Sequence, residues 1–320
     1  MACRERSGLG FVLTRAEEML EIIYMLGGVS LGTVIWLWIL RRYDRIEPES
    51  IRHLVQVGLV GGLVSIVAAA LLNEMARIGI GLDASIFEDA SSASAMRLLM
   101  FCVAVGLVEE ICKAVATVTV TRKLGNLDEP VDAMVYAMTV ALCFASFENI
   151  FYAMRFGNEV LLARFLWPVP AHMAYAALWG YGLAWARFVH PDRSRAAVMA
   201  PSVAAAGIIH AAANFLLFLQ ETVTATISLM ALAALAILAH LRLKKLVAES
   251  PFLQPGECVE CRFVNAPHAL ICAACDVELE TTEIFVTCPC GQARVPSRLG
   301  ICPSCGDAMR DAEVKRIPQT

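Results

Sequence analysis

The chain has 320 residues, of which 58% are Ala, Val, Ile, Leu, Met, Phe, Trp, Tyr or Cys and only 18% are charged, whereas an average soluble domain is about 45–50% apolar with Gly included. With a mean hydropathy of +0.63, that composition argues against a soluble enzyme. A net charge of −4, from 26 basic and 30 acidic residues, provides no global basic field for gathering phosphates, so nucleic acid is not a favoured partner.

Seven apolar segments of bilayer-crossing length follow one another, at about 22–40, 54–72, 98–120, 132–153, 165–186, 197–219 and 223–241. They predict an all-α polytopic membrane protein of about seven transmembrane helices, embedded in the lipid bilayer of a multi-pass cell membrane. The first run, Ile22 to Leu40, is full length and ends in Arg41-Arg42-Tyr43-Asp44-Arg45, so it reads as a retained span rather than a cleaved leader. Twelve Arg and Lys residues fall in the connections on one side, among them Arg41, Arg122, Arg193 and Lys244. Seven fall on the other, Arg97, Arg155 and Arg164 included. Because cytoplasmic loops retain positive charge, the C-terminal tail is expected in the cytoplasm. Near residue 250 the composition changes, and Pro251, Pro255 and Gly256 separate a membrane domain at 1–248 from a small polar domain at 256–320.

The third span carries Glu109, Glu110 and Lys113 near its middle, where each charge costs about 2.5–3.5 kcal/mol on insertion scales. Lys113 lies four residues after Glu109 and three after Glu110, so it can pair with either on one helical face and leave the other carboxylate as a base. The fourth span adds Glu148 and Asn149, and the fifth adds His172 with Gly180 eight residues on. The sixth adds His210 and Asn214, whose four-residue spacing puts imidazole and carboxamide on one face. Four consecutive spans thus each supply polar chemistry. Glutamates, histidines and an asparagine are the components of water-activating hydrolysis: a base, proton-handling or metal-binding imidazoles, and an oxyanion donor.

Four motifs, Glu109-Glu110-x2-Lys113, Phe144-x3-Glu148-Asn149, His172-x7-Gly180 and His210-x3-Asn214, together with Asp44-Arg45-Ile46-Glu47-Pro48, resemble the PrsW-type intramembrane proteases, relatives of the CAAX-prenyl endopeptidases. The resemblance covers roughly residues 20–245. It implies endoproteolysis of membrane-protein substrates, as in regulated cleavage of anti-sigma factors, with Glu109 or Glu110 activating water and His210 and Asn214 stabilising the oxyanion. Glu148 stands where the CAAX relatives have a histidine, and Met173-Ala174-Tyr175-Ala176 departs from the Phe-Thr of closer PrsW members. An active-site zinc is left open. His172, His210 and Glu148 could complete a three-ligand site with Glu109 or Glu110 as base, no His-Glu-x2-His helix is present, and a metal-free glutamate mechanism is preferred.

The tail holds two cysteine sets: Cys258, Cys261, Cys272 and Cys275, then Cys288, Cys290, Cys302 and Cys305. Their spacing predicts a tandem zinc ribbon, with each set holding one structural Zn2+. Disulfides are the alternative chemistry, and His268 is a substitute ligand. Such a module would present an acidic surface to a cytoplasmic protein partner. Two rival functions are a proton-coupled transporter, which would reuse the same buried Glu and His, and a catalytically inactive scaffold that displays the ribbons.

Overall fold

The computed structural model describes residues 2–87, 94–124, 127–190, 193–219, 222–250, 252–253, 257–265, 271–279, 285–286 and 295–296. Among these, eight α-helices carry the fold: α1 (Ala2–Arg41), α2 (Ile51–Ile80), α3 (Ala95–Leu124), α4 (Pro130–Phe156), α5 (Val160–Leu166), α6 (Pro168–Ala184), α7 (Arg195–Phe218) and α8 (Thr222–Ala248).

Helix α4 is the centre of the bundle. Pro130 sits at its first turn, where a missing N–H costs nothing, and the Asp132 carboxylate accepts from Glu129 N at 2.7 Å. Every residue from Val131 to Ala145 is buried, and helices α1, α2, α3, α6 and α8 all pack on it. A helix apolar on all sides has this place open to it and few others. On α2, glycines bring the backbone against α4: a Cβ on Gly62 would lie 2.6 Å from Cys143 Cβ and 3.0 Å from Phe144 N. Gly180 does the same for α6, where a Cβ would meet Ala137 Cβ at 2.8 Å. Small residues let helix backbones approach where lipid gives no hydrophobic drive.

The tightest crossing joins α3 to α7. A Cβ on Gly106 would strike the carbonyl oxygen of Gly207 and come within 2.7 Å of Ala211 N, both backbone atoms that cannot swing aside. Gly106→Ala is therefore expected to part the two helices and destabilise the protein by about 1–3 kcal/mol. Thermal unfolding in detergent checks this, and an unchanged midpoint would mean that the crossing has slack.

Large apolar side chains such as Ile23, Leu71, Leu162 and Met230 face outward, as lipid-facing residues of a polytopic membrane protein do. Among the described residues, five helices are long and apolar enough to cross a membrane: Glu17–Arg41 of α1, and α2, α4, α7 and α8. That corrects the expected seven. The two segments that fall short are α3, interrupted by Glu109, Glu110 and Lys113, and α6, which has only 17 residues.

The tail requires a second correction. No ribbon sheet exists among the described residues. Beyond α8 there are isolated single bridges at Glu257–Val264 and Ile271–Glu278, plus one antiparallel pair of two-residue strands, β1 (Phe285–Val286) and β2 (Val295–Pro296). The tandem zinc-ribbon module at 256–320 and its two structural Zn2+ sites are thus not upheld. Cysteine spacing specifies tight turns, here closed by Cys258 N to Phe263 O and Cys272 N to Val277 O, both at 2.8 Å, and such turns need no ladder between them. The Sγ atoms of Cys258, Cys261, Cys272 and Cys275 do gather within 4.8 Å of one another. Cys288, Cys290, Cys302, Cys305 and His268 lie outside the described residues.

Candidate active site

Helices α3, α4, α6 and α7 bring the ionisable residues together inside the bundle. Lys113, wholly buried, is the hub. Its ammonium donates to Glu110 Oε1 at 2.7 Å and to His172 Nδ1 at 2.8 Å, and lies 3.8 Å from Glu109 Oε2. The ring of Phe144 covers it, with its centroid 4.3 Å from Nζ, a cation–π contact strengthened by the absence of water.

The two adjacent glutamates are not equivalent. Glu110 accepts from Lys113, from Trp179 Nε1 at 2.9 Å and from His210 Nδ1 at 3.1 Å, so both of its oxygens are engaged. Glu109 accepts from Asn73 Nδ2 on Oε1 at 3.2 Å, but its Oε2 is buried with no hydrogen-bond partner. Glu109, unlike Glu110, lines a cavity of about 560 Å³ together with Glu148, His172, His210 and Asn214.

The imidazoles meet edge to face, with centroids 5.0 Å apart, and Tyr175 stacks on His210 at 4.8 Å. A charged ammonium only donates, so His172 Nδ1 accepts and its Nε2 carries the hydrogen, 3.4 Å from Glu148 Oε2. His210 Nδ1 faces a carboxylate and therefore donates. In the neutral ring this leaves the Nε2 lone pair, 3.9 Å from Glu109 Oε2, directed toward that residue.

Glu148 is paired with the guanidinium of Arg164, which also donates from Nε to Asn149 Oδ1 at 2.6 Å. Asn149 thus holds an arginine instead of facing the two glutamates. The sequence counts Arg164 as an exposed loop charge, yet the short α5 turns it inward, and Tyr152 covers its guanidinium at 3.5 Å. Trp179, Tyr175 and Asn73 also escape notice in the sequence. Trp179 directly precedes Gly180 of the fifth-span motif, and an indole N–H in a buried apolar helix requires an acceptor.

One atom each from Glu109, His172 and His210 lies within 4.8 Å of the others, a different trio from the expected His172, His210 and Glu148. By distance, and by the orphaned Glu109 Oε2, these three residues fit a divalent ion, which when bound would act as a Lewis acid and generate hydroxide. The proton placement opposes it: His172 Nε2, the atom left over for a ligand bond, carries a hydrogen as long as Lys113 is charged.

The chain matches the family described as PrsW family intramembrane metalloprotease over residues 49–241, more than half its length. It is 27% identical over 187 residues to protease PrsW of Clostridioides difficile (strain 630), covering 57% of this chain and 74% of that one. Against protease PrsW of Geobacillus kaustophilus it is 34% identical over 87 residues, 27% of this chain and 39% of the relative. Against protease PrsW of Bacillus subtilis (strain 168) it is 31% identical over 112 residues, 35% of this chain and 51% of the relative. The chain thus covers about two fifths and about half of the length of the latter two. No solved structure matches.

Proposed function

We propose that this chain, which belongs to the PrsW family of intramembrane proteases, hydrolyses peptide bonds of membrane-protein substrates with water activated by the Glu109 carboxylate. The observation that carries the assignment is the contrast between the neighbours: Glu110 is saturated by Lys113, Trp179 and His210, while Glu109 Oε2 is buried, unpartnered and at the wall of the cavity.

A peptide carbonyl entering that cavity meets Glu109, His210 and Asn214 in its lining. Glu109 takes a proton from water as its oxygen attacks the carbonyl carbon. The oxyanion that forms is stabilised by a hydrogen bond from the Asn214 amide, while His210, whose Nδ1–H is committed to Glu110, adds a second only when it enters the cycle as the imidazolium, with Nε2 already protonated from solvent. Glu109 then returns the proton to the departing amine. Lys113 and Glu110 fix the positions of both imidazoles, and Arg164 pairs with Glu148 beside His172. Membrane-bound anti-sigma factors are the substrate class to try first.

The orientation belongs to the same reading. The excess of basic residues in the connections on the side of the C-terminal tail supports a cytoplasmic tail.

The test is incubation of the purified protein in detergent with a panel of single-span membrane proteins, wild type beside Glu109→Gln and His210→Ala, with metal analysis of the same preparations. Cleavage by wild type alone is expected. Equal cleavage by all three would sink the catalytic assignment and favour a scaffold, and proton flux in vesicles without cleavage would favour a transporter.

A further inference from the structure

A second group of acids, all buried but the exposed Asp128, lies about 24 Å from Glu148 along α4, sixteen residues at 1.5 Å each, at the end of the bundle where the tail departs. Asp44 and Glu49 come from the loop between α1 and α2, and Asp128, Glu129 and Asp132 from the start of α4. Oxygens of Asp44, Glu129 and Asp132 lie within 4.8 Å of one another, and so do oxygens of Glu49, Asp128 and Asp132.

The hydrogen bonds account for one oxygen of each aspartate and leave the other. Asp44 Oδ2 accepts from Glu49 N at 2.6 Å, and Asp132 Oδ2 accepts from Glu129 N at 2.7 Å and Asp128 N at 3.2 Å. Asp44 Oδ1 and Asp132 Oδ1 have no partner, although the two residues are 2% and 0% exposed. Glu129 is held by Glu47 N at 3.2 Å and by the Ser250 hydroxyl, but a carboxylate oxygen has a second lone pair to offer. Uncompensated carboxylates in such a place are costly unless paired or bound to a cation.

We propose that Asp44, Glu129 and Asp132 form a site for a hard divalent cation of the calcium or magnesium class, with Glu49 and Asp128 supplying further charge. Oxygens up to 4.8 Å apart suit an ion with bonds of about 2.3–2.6 Å, the calcium range. An all-carboxylate set selects such ions over soft metals. The ion would join the loop after α1 to the start of α4 and, through Ser250, to the segment after α8.

Full-length protein in detergent, stripped with EDTA, is titrated with CaCl2 or MgCl2 and followed by calorimetry and thermal unfolding. Wild type is expected to bind one of these ions and to unfold about 3 °C higher in its presence. Asp132→Asn and Asp44→Asn are expected to weaken binding about tenfold or more and to lose the thermal shift, while remaining at least as stable as stripped wild type because a buried charge has gone. Should Asp132→Asn fail to fold, Asp44→Asn in the loop carries the test. Glu109→Gln is expected to bind the ion as wild type does, which separates this site from the glutamate–histidine group. No response of wild type to either ion up to about 10 mM, above the range of weak protein calcium sites, overturns the proposal. Undiminished binding by both aspartate variants overturns it as well.

Discussion

Glu109→Gln is expected to lower peptide-bond cleavage by about 10²–10⁴-fold, the usual contribution of a positioned general base, with little change in thermal stability. The amide is isosteric and can still accept from Asn73 through its oxygen, so the packing around it is kept. What goes is the anionic Oε2, which makes no hydrogen bond and lies 3.8 Å from Lys113 Nζ and 3.9 Å from His210 Nε2. Glu110→Gln is different in kind, because Glu110 anchors Lys113, Trp179 and His210 at once. It should lose activity together with stability. The two variants, compared by initial rate and unfolding midpoint, therefore separate base from anchor. A Glu109→Gln protein that cleaves within about threefold of wild type would remove Glu109 from the role.

Lys113→Met is expected to cost about 3–5 kcal/mol, because it leaves the buried Glu110 carboxylate without its cation. Both side chains are fully shielded from solvent and 2.7 Å apart, so water cannot screen what remains. The Lys113→Met/Glu110→Gln double variant removes both charges and should recover most of that loss, giving a coupling well above that of independent sites. Thermal or denaturant unfolding of the four proteins measures it. A single Lys113→Met that loses less than about 1 kcal/mol would mean that the ammonium is not what keeps Glu110 ionised.

Much of this site is legible in the sequence because its parts are improbable where they stand. Charged residues inside apolar segments single out Glu109, Glu110, Lys113 and Glu148, and the seven apolar runs correspond to α1, α2, α3, α4, α6, α7 and α8. The division between Glu109 and Glu110 is not legible. Consecutive helical residues point about 100° apart, and only the positions of α6 and α7 decide which one is sequestered. Arg164 is hidden for a related reason. It belongs to a seven-residue helix with no buried residue, so no apolar pattern marks that stretch as structure, and its charge looks like ordinary loop charge. The tail misleads in the opposite direction. A regular cysteine repeat is a strong signal for local turns, but a sheet needs strands with side chains to pair, and the described turns make single bridges only.

The partners of Glu110 arrive at very different times during synthesis. Lys113 is three residues away in the same helix, whereas His172, which shares that lysine, and Trp179 belong to α6, and His210 to α7, one hundred residues later. When α3 leaves the ribosome, the Glu110–Lys113 pair can already close within one helical turn and cancel two charges. Glu109 has no such local relief, since its nearest cation is that same lysine at 3.8 Å. The surroundings of its carboxylate are complete only after α7 has docked against Gly106. The helix that supplies the proposed base is thus the least able to remain in the lipid by itself, and the order of biogenesis makes the last helices responsible for retaining it.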